Sequence, residues 1–172
     1  TANWPVFGTD YAAVAFVGQH AKAGARQAHL AHTQTEEAID FRLNGLSIGE
    51  YGQQVFSAAE TGAATIFVSG DTAMIREAAE LTPGAIGVAV KSGLCDAPTD
   101  GTTPAEQLFS HESTAIHFPR RDVLDALHLG ALKAAQLFQH SPDIFTLPCL
   151  TAPFVAEAEY RAVAPKLVPL FG

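Results

Sequence analysis

Three short apolar runs, Tyr11 to Gly18, Ala64 to Gly70 and Ala85 to Lys91, constrain the fold of this chain more than any other feature. Each is four to eight residues of apolar side chains closed by glycine or a charged residue, which reads as a buried strand. Between the second and third runs, Asp71 stands as an N-cap for a helix through Leu81, which Pro83-Gly84 breaks. Ahead of the second run, Ser47 and Glu50 have capping-box spacing, and a helix through Tyr51, Val55, Phe56 and Ala59 stops at Gly62. Helix followed by strand, twice at short spacing, predicts βα units and a mainly parallel sheet flanked by helices, an α/β fold in three layers. Ala38 to Leu43 alternates apolar with polar, and Asn44-Gly45 is a tight-turn pair, so a hairpin is expected near residues 38–46. Arg120 to His140 presents Val123, Leu124, Leu127, Ala131, Leu132, Ala135 and Phe138 at helical spacing. Ser92 to Thr103 reads as a loop, Phe145 to Phe154 as an edge strand and Glu157 to Ala164 as a short helix. All 172 residues fit a single α/β domain.

Composition matters mainly for what it excludes. With 48% hydrophobic and 16% charged residues the chain is globular in character. A net charge of −8, with Arg120-Arg121 the one adjacent basic pair, argues against nucleic-acid binding, because nothing could neutralise a row of phosphates. No run is long enough to span a bilayer, so no membrane association is expected. Cys95 and Cys149 lie far apart in no metal-binding or Cys-x-x-Cys spacing, which suits a reducing cytoplasm. The start at Thr1 without methionine, a basic region or an apolar core is no signal peptide and points to processing or trimming.

Chemistry concentrates after the first strand. His20 follows the apolar run Val14-Ala15-Phe16-Val17-Gly18, and His29 and His32 follow a Gly/Ala-rich loop. Open α/β proteins hold ligands outside the carboxyl edge of the sheet, and histidine serves there as metal ligand or acid–base group. Glu50 is either a zinc-type ligand or the carboxylate of the capping box, and His32 or His29 is the candidate base. No Gly-x-Gly-x-x-Gly, phosphate-binding loop, His-Glu-x-x-His or Gly-x-Ser-x-Gly motif is present. His111, His117, His128 and His140 have no carboxylate cluster beside them and read as structural or solvated. A free Thr1 could be a nucleophile activated by its own amine, as in self-cleaved amide hydrolases.

Several segments in order resemble the zinc-dependent D-aminopeptidases, peptidase family M55. They are Phe16-Val17-Gly18-Gln19-His20-Ala21-Lys22-Ala23-Gly24, Leu30-Ala31-His32-Thr33, Leu43-Asn44-Gly45, Ile48-Gly49-Glu50-Tyr51-Gly52, Val68-Ser69-Gly70-Asp71 and Val88-Ala89-Val90-Lys91-Ser92-Gly93. The resemblance implies that His20 and Glu50 are zinc ligands, that His32 is the catalytic base or nucleophile, and that Asn44 contacts substrate. It implies a metal-dependent hydrolase with two Zn²⁺ per complete site, cleaving the N-terminal amide bond of short peptides that begin with a D-amino acid, and assembling as a homo-oligomer. The family's Asp-x-Glu metal-binding strand has no counterpart in this sequence. The remaining ligands are therefore expected from an upstream segment, either carried on a separate chain of the same precursor or missing because this sequence is a fragment. Two rival readings are an amide hydrolase with Thr1 as nucleophile, and a non-catalytic binding or assembly module on the same fold.

Overall fold

The computed structural model describes residues 10–96 and 101–161. Its first element, β1 (Ala13–Gln19), leads into an irregular segment and then the hairpin of β2 (Ala38–Leu43) and β3 (Leu46–Ser47). Helix α1 (Glu50–Glu60), β4 (Ala64–Asp71), α2 (Thr72–Leu81) and β5 (Ile86–Gly93) follow. After them come α3 (Ala105–Glu112), β6 (Ala115–His117), the long α4 (Arg120–His140) and β7 (Ala156–Tyr160). The main sheet has the order β1-β4-β5-β6, and β2 lies between β3 and β7 in a second, antiparallel sheet. β1, β4 and β5 are parallel, with Phe16 opposite Val68 and Ser69 opposite Val88, whereas β6 pairs antiparallel on the β5 edge. The parallel strands are the three apolar runs, and helices cover both faces of their sheet.

The alternation of side chains along β4 and β5 assigns those faces. Val68 joins Phe16, Tyr51, Val55, Met74 and Ala78 in a core beneath α1 and α2. Phe67 and Val88 pack with Ala134 beneath α4, with Leu127 against them. Three layers result. The hairpin turn forms at Asn44 and Gly45, both in the left-handed region with φ of 51° and 78°, as a two-residue turn joining twisted strands requires. Among the described residues, no helix is long and apolar enough to cross a membrane.

Four local expectations need correction. α1 begins at Glu50, with Gly49 as its N-cap and no side-chain cap, so the capping box is absent. Ser47 lies in β3 and donates instead to Asp40 Oδ1 at 2.6 Å, because pairing with Arg42 across the hairpin takes it out of the helix start. Phe145 to Phe154 holds no strand; Pro148 and Pro153 lack the amide protons a ladder uses. Glu157 to Tyr160 is strand rather than helix, since Ala156–Tyr160 pairs along the whole of β2. By contrast Asp71 caps α2 as expected, accepting from Met74 N at 2.7 Å.

Candidate active site

β1 ends at Gln19, so His20 leaves the carboxyl edge of the parallel sheet, where β4 also ends at Asp71 and β5 at Gly93. The segment that follows is irregular but tied at many points. His32 N donates to Ala21 O at 3.2 Å, Ala23 N to the buried Thr33 Oγ1 at 3.1 Å, and Leu30 N to Glu112 O at 3.1 Å. Asp71 has a second role here, since its Oδ2 accepts from His29 N at 2.5 Å. Leu30 is held at a φ of 57°, a left-handed conformation that costs a non-glycine residue roughly 1–3 kcal/mol.

That unusual residue supplies the atom around which the site is arranged. His20 Nδ1 lies 2.9 Å and His32 Nδ1 2.8 Å from the carbonyl oxygen of Leu30. A carbonyl has two lone pairs and no proton, so each imidazole donates its Nδ1–H to it. In the neutral rings Nε2 is thereby left as the basic nitrogen, the arrangement that orients metal-binding and proton-transferring histidines. The two rings meet edge to face with centroids 5.0 Å apart. Glu50, at the start of α1, brings Oε1 to 3.9 Å from His32 Nε2 and accepts from Gln34 N at 3.1 Å. Its carboxylate thus lies beside His32 instead of capping its own helix.

His20 and His32 open into a cavity of about 190 Å³ whose other walls include Glu36, Glu112 and Arg161. Burial pushes the Glu112 carboxyl up to about 7, against the pull of the Arg161 and His32 charges, and Glu36 adds to the rise. The sequence reading missed these three residues. They come from the loop before β2, the end of α3 and the end of β7, and no local motif links them.

Neither His29 nor Asn44 is among the residues lining this cavity. The His29 ring faces His117 at a centroid distance of 5.8 Å. Burial lowers its pKa first, and the Lys91, His117 and His20 charges lower it further. Asn44, in the β2–β3 turn, is tied to the segment before β7: its side-chain amide donates to Thr151 O and its side-chain carbonyl accepts from Val155 N, each at 2.8 Å. Thr1 lies outside the described residues. Cys95 and Cys149 are free thiols.

A histidine emitted from one strand, a second histidine on a shared carbonyl and a carboxylate at the next helix start form an ordered set over residues 20–50. The sequence profile of peptidase family M55, D-aminopeptidase, matches residues 6–118. The chain belongs to this family. Among solved structures it is similar to the Zn-dependent D-aminopeptidase DppA from Bacillus subtilis, described as a self-compartmentalizing protease, with a TM-score of 0.63 and 21% identity. The likeness covers 76% of this chain and 42% of that one, so the chain spans less than half of that relative's length. It supports the three-layer fold. No curated protein sequence matches the chain.

Zinc, implied by the family, is met by donors of the right kind: two imidazoles with Nε2 left basic by the Leu30 carbonyl, and one carboxylate. Among the described residues, however, no three His, Cys, Asp or Glu side chains converge closely enough to hold a metal ion.

Proposed function

We propose that this chain carries the histidine half of the active site of a D-aminopeptidase-like hydrolase that cleaves the N-terminal amide bond of short peptides. The observation that carries this reading is the pairing of His20 and His32 on the Leu30 carbonyl, beside Glu50 and at the mouth of a cavity. His20 and Glu50 are the proposed zinc ligands, in a site that takes two Zn²⁺ when complete and draws its remaining donors from outside the described residues. Zinc bound there supplies a polarised carbonyl and an acidified water. His32 is the proposed catalytic group. Its Nδ1–H is anchored, so Nε2 is the atom that takes and returns a proton or attacks the carbonyl carbon. Glu36 and Glu112 give the α-ammonium of a peptide two acceptors within reach of that histidine.

A homo-oligomeric assembly belongs to the same reading. Leu124, Leu129 and Leu132 on α4, together with Phe154, Val155 and Tyr160, are exposed apolar side chains of the kind subunit contacts bury.

The test is zinc analysis of the purified full-length protein alongside hydrolysis of matched peptides with D- or L-alanine at the N-terminus. Stoichiometric zinc and release of the D-residue are expected. Zinc below about half an equivalent per chain, with neither peptide cleaved, would favour a binding or assembly module instead.

A further inference from the structure

His20 and Glu50 reach the site on separate segments, one leaving β1 and the other opening α1, and a single buried carboxylate joins the two. Glu77 on α2 is 7% exposed. Its Oε2 accepts from Lys22 N at 2.9 Å, two residues after His20, and its Oε1 accepts from Gly49 N at 3.1 Å, one residue before Glu50. Lys22 reaches across the same junction, its Nζ donating to Ser47 O at 3.0 Å. The backbones are in contact. A Cβ on Gly49 would stand 2.9 Å from Lys22 Cα and 3.2 Å from Glu77 Oε1, so only glycine fits between them.

A carboxylate is expensive to bury, and burial does push this one up from the usual carboxylate range, while the two amide donors and the Lys22 charge hold it down. Apolar packing alone would have no use for such a group, since Tyr51, Met74 and Ala78 already fill the α1–α2 core. What the carboxylate adds is directional: two charge-assisted bonds to backbone amides that lie next to the two proposed ligands.

We propose that Glu77 is a positioning residue, a clamp that sets the spacing between the His20 segment and the Glu50 helix start. Its consequence for turnover rests on the peptidase reading; its consequence for imidazole geometry does not. In E77Q the side-chain amide nitrogen cannot accept, so one of the two backbone N–H groups loses its partner while the shape is kept. Outer contacts of this kind, where they orient ligands, are worth about 10–100-fold in metal affinity or activity.

The experiment records ¹⁵N spectra of the His20 and His32 side chains and of the Lys22 and Gly49 amides in the full-length protein, with kcat and KM measured in parallel. E77Q is expected to shift the Lys22 or Gly49 amide and both imidazoles, and to lower kcat by about 10–100-fold with little change in KM. G49A, which drives a methyl group into the same junction, should move the same imidazole signals. V88A opens a cavity against Phe67 on the far face of the sheet and serves as the destabilised control; it should leave those signals and kcat in place. Wild-type imidazole spectra in E77Q and G49A, or equal shifts in V88A, would overturn the proposal. Should the wild-type protein cleave no peptide, the peptidase reading fails, and the imidazole shifts still decide the role of Glu77.

Discussion

Leu30 shows how much one backbone conformation can decide. Its φ of 57° turns a carbonyl toward two imidazoles and so selects their tautomers. A β-branched residue tolerates that conformation worse than leucine, so L30V should lose about 1–2 kcal/mol in urea unfolding and disturb both histidine rings. H32A should keep the fold and lower turnover by about 10²- to 10⁴-fold, the usual worth of a positioned acid–base group; near-normal turnover would remove His32 from the chemistry. Glu112 makes a prediction about pH. Its carboxyl sits at about 7 in the folded protein, above the ordinary 4.5, chiefly through burial. The folded state therefore binds that proton more tightly than the unfolded one, and the stability this confers is full below about 4.5 and is lost as pH rises through about 7. Melting curves across this range should show the wild type losing ground to E112Q as pH rises, and a pH-independent difference would count against it.

Among the elements, α2 links the fold most directly to the site. Asp71 caps it through Oδ1 and tethers the histidine segment through Oδ2, and Glu77 clamps from nearly two turns further along. D71A removes an N-cap and leaves a second amide unmatched, an expected loss of about 2 kcal/mol by chemical denaturation. D71N retains an acceptor for one of the two and should lose less. The cap was legible because its acceptor and donor are three residues apart. The tether was not, because His29 and Asp71 are joined only when β1 and β4 pair. The same distinction explains Ser47 and Glu50, whose local spacing matches a cap that the hairpin pairing overrides. In β7, the Ala-Glu-Ala-Glu-Tyr stretch alternates with a period of two, but Ala and Glu are strong helix formers, and the pairing with β2 decided for strand.

Taken as a whole, the molecule keeps its apolar interior around the parallel sheet and leaves much of α4 in solvent. Leu124, Leu129 and Leu132 are 49%, 63% and 46% exposed, and Ala134 is the helix's buried position. These exposed leucines on a 21-residue helix are the side chains on which the proposed subunit contact rests. Replacing Leu129 and Leu132 together by glutamate should leave the circular dichroism unchanged and shift sedimentation toward smaller species. An unaltered sedimentation profile would place the subunit contacts elsewhere.

By itself the sequence determined the three-layer α/β plan, because buried strands, the Asp71 cap and the Asn44-Gly45 turn are encoded in neighbouring residues. It also brought His20, His32 and Glu50 into consideration through their ordered motifs. Only the tertiary structure showed that the two histidines share the Leu30 carbonyl, that the Asn44 side chain bonds to Thr151 and Val155, and that Glu36, Glu112 and Arg161 wall the same cavity. Those relations join residues from different elements, and their energies arise only once the strands have paired and the helices have packed.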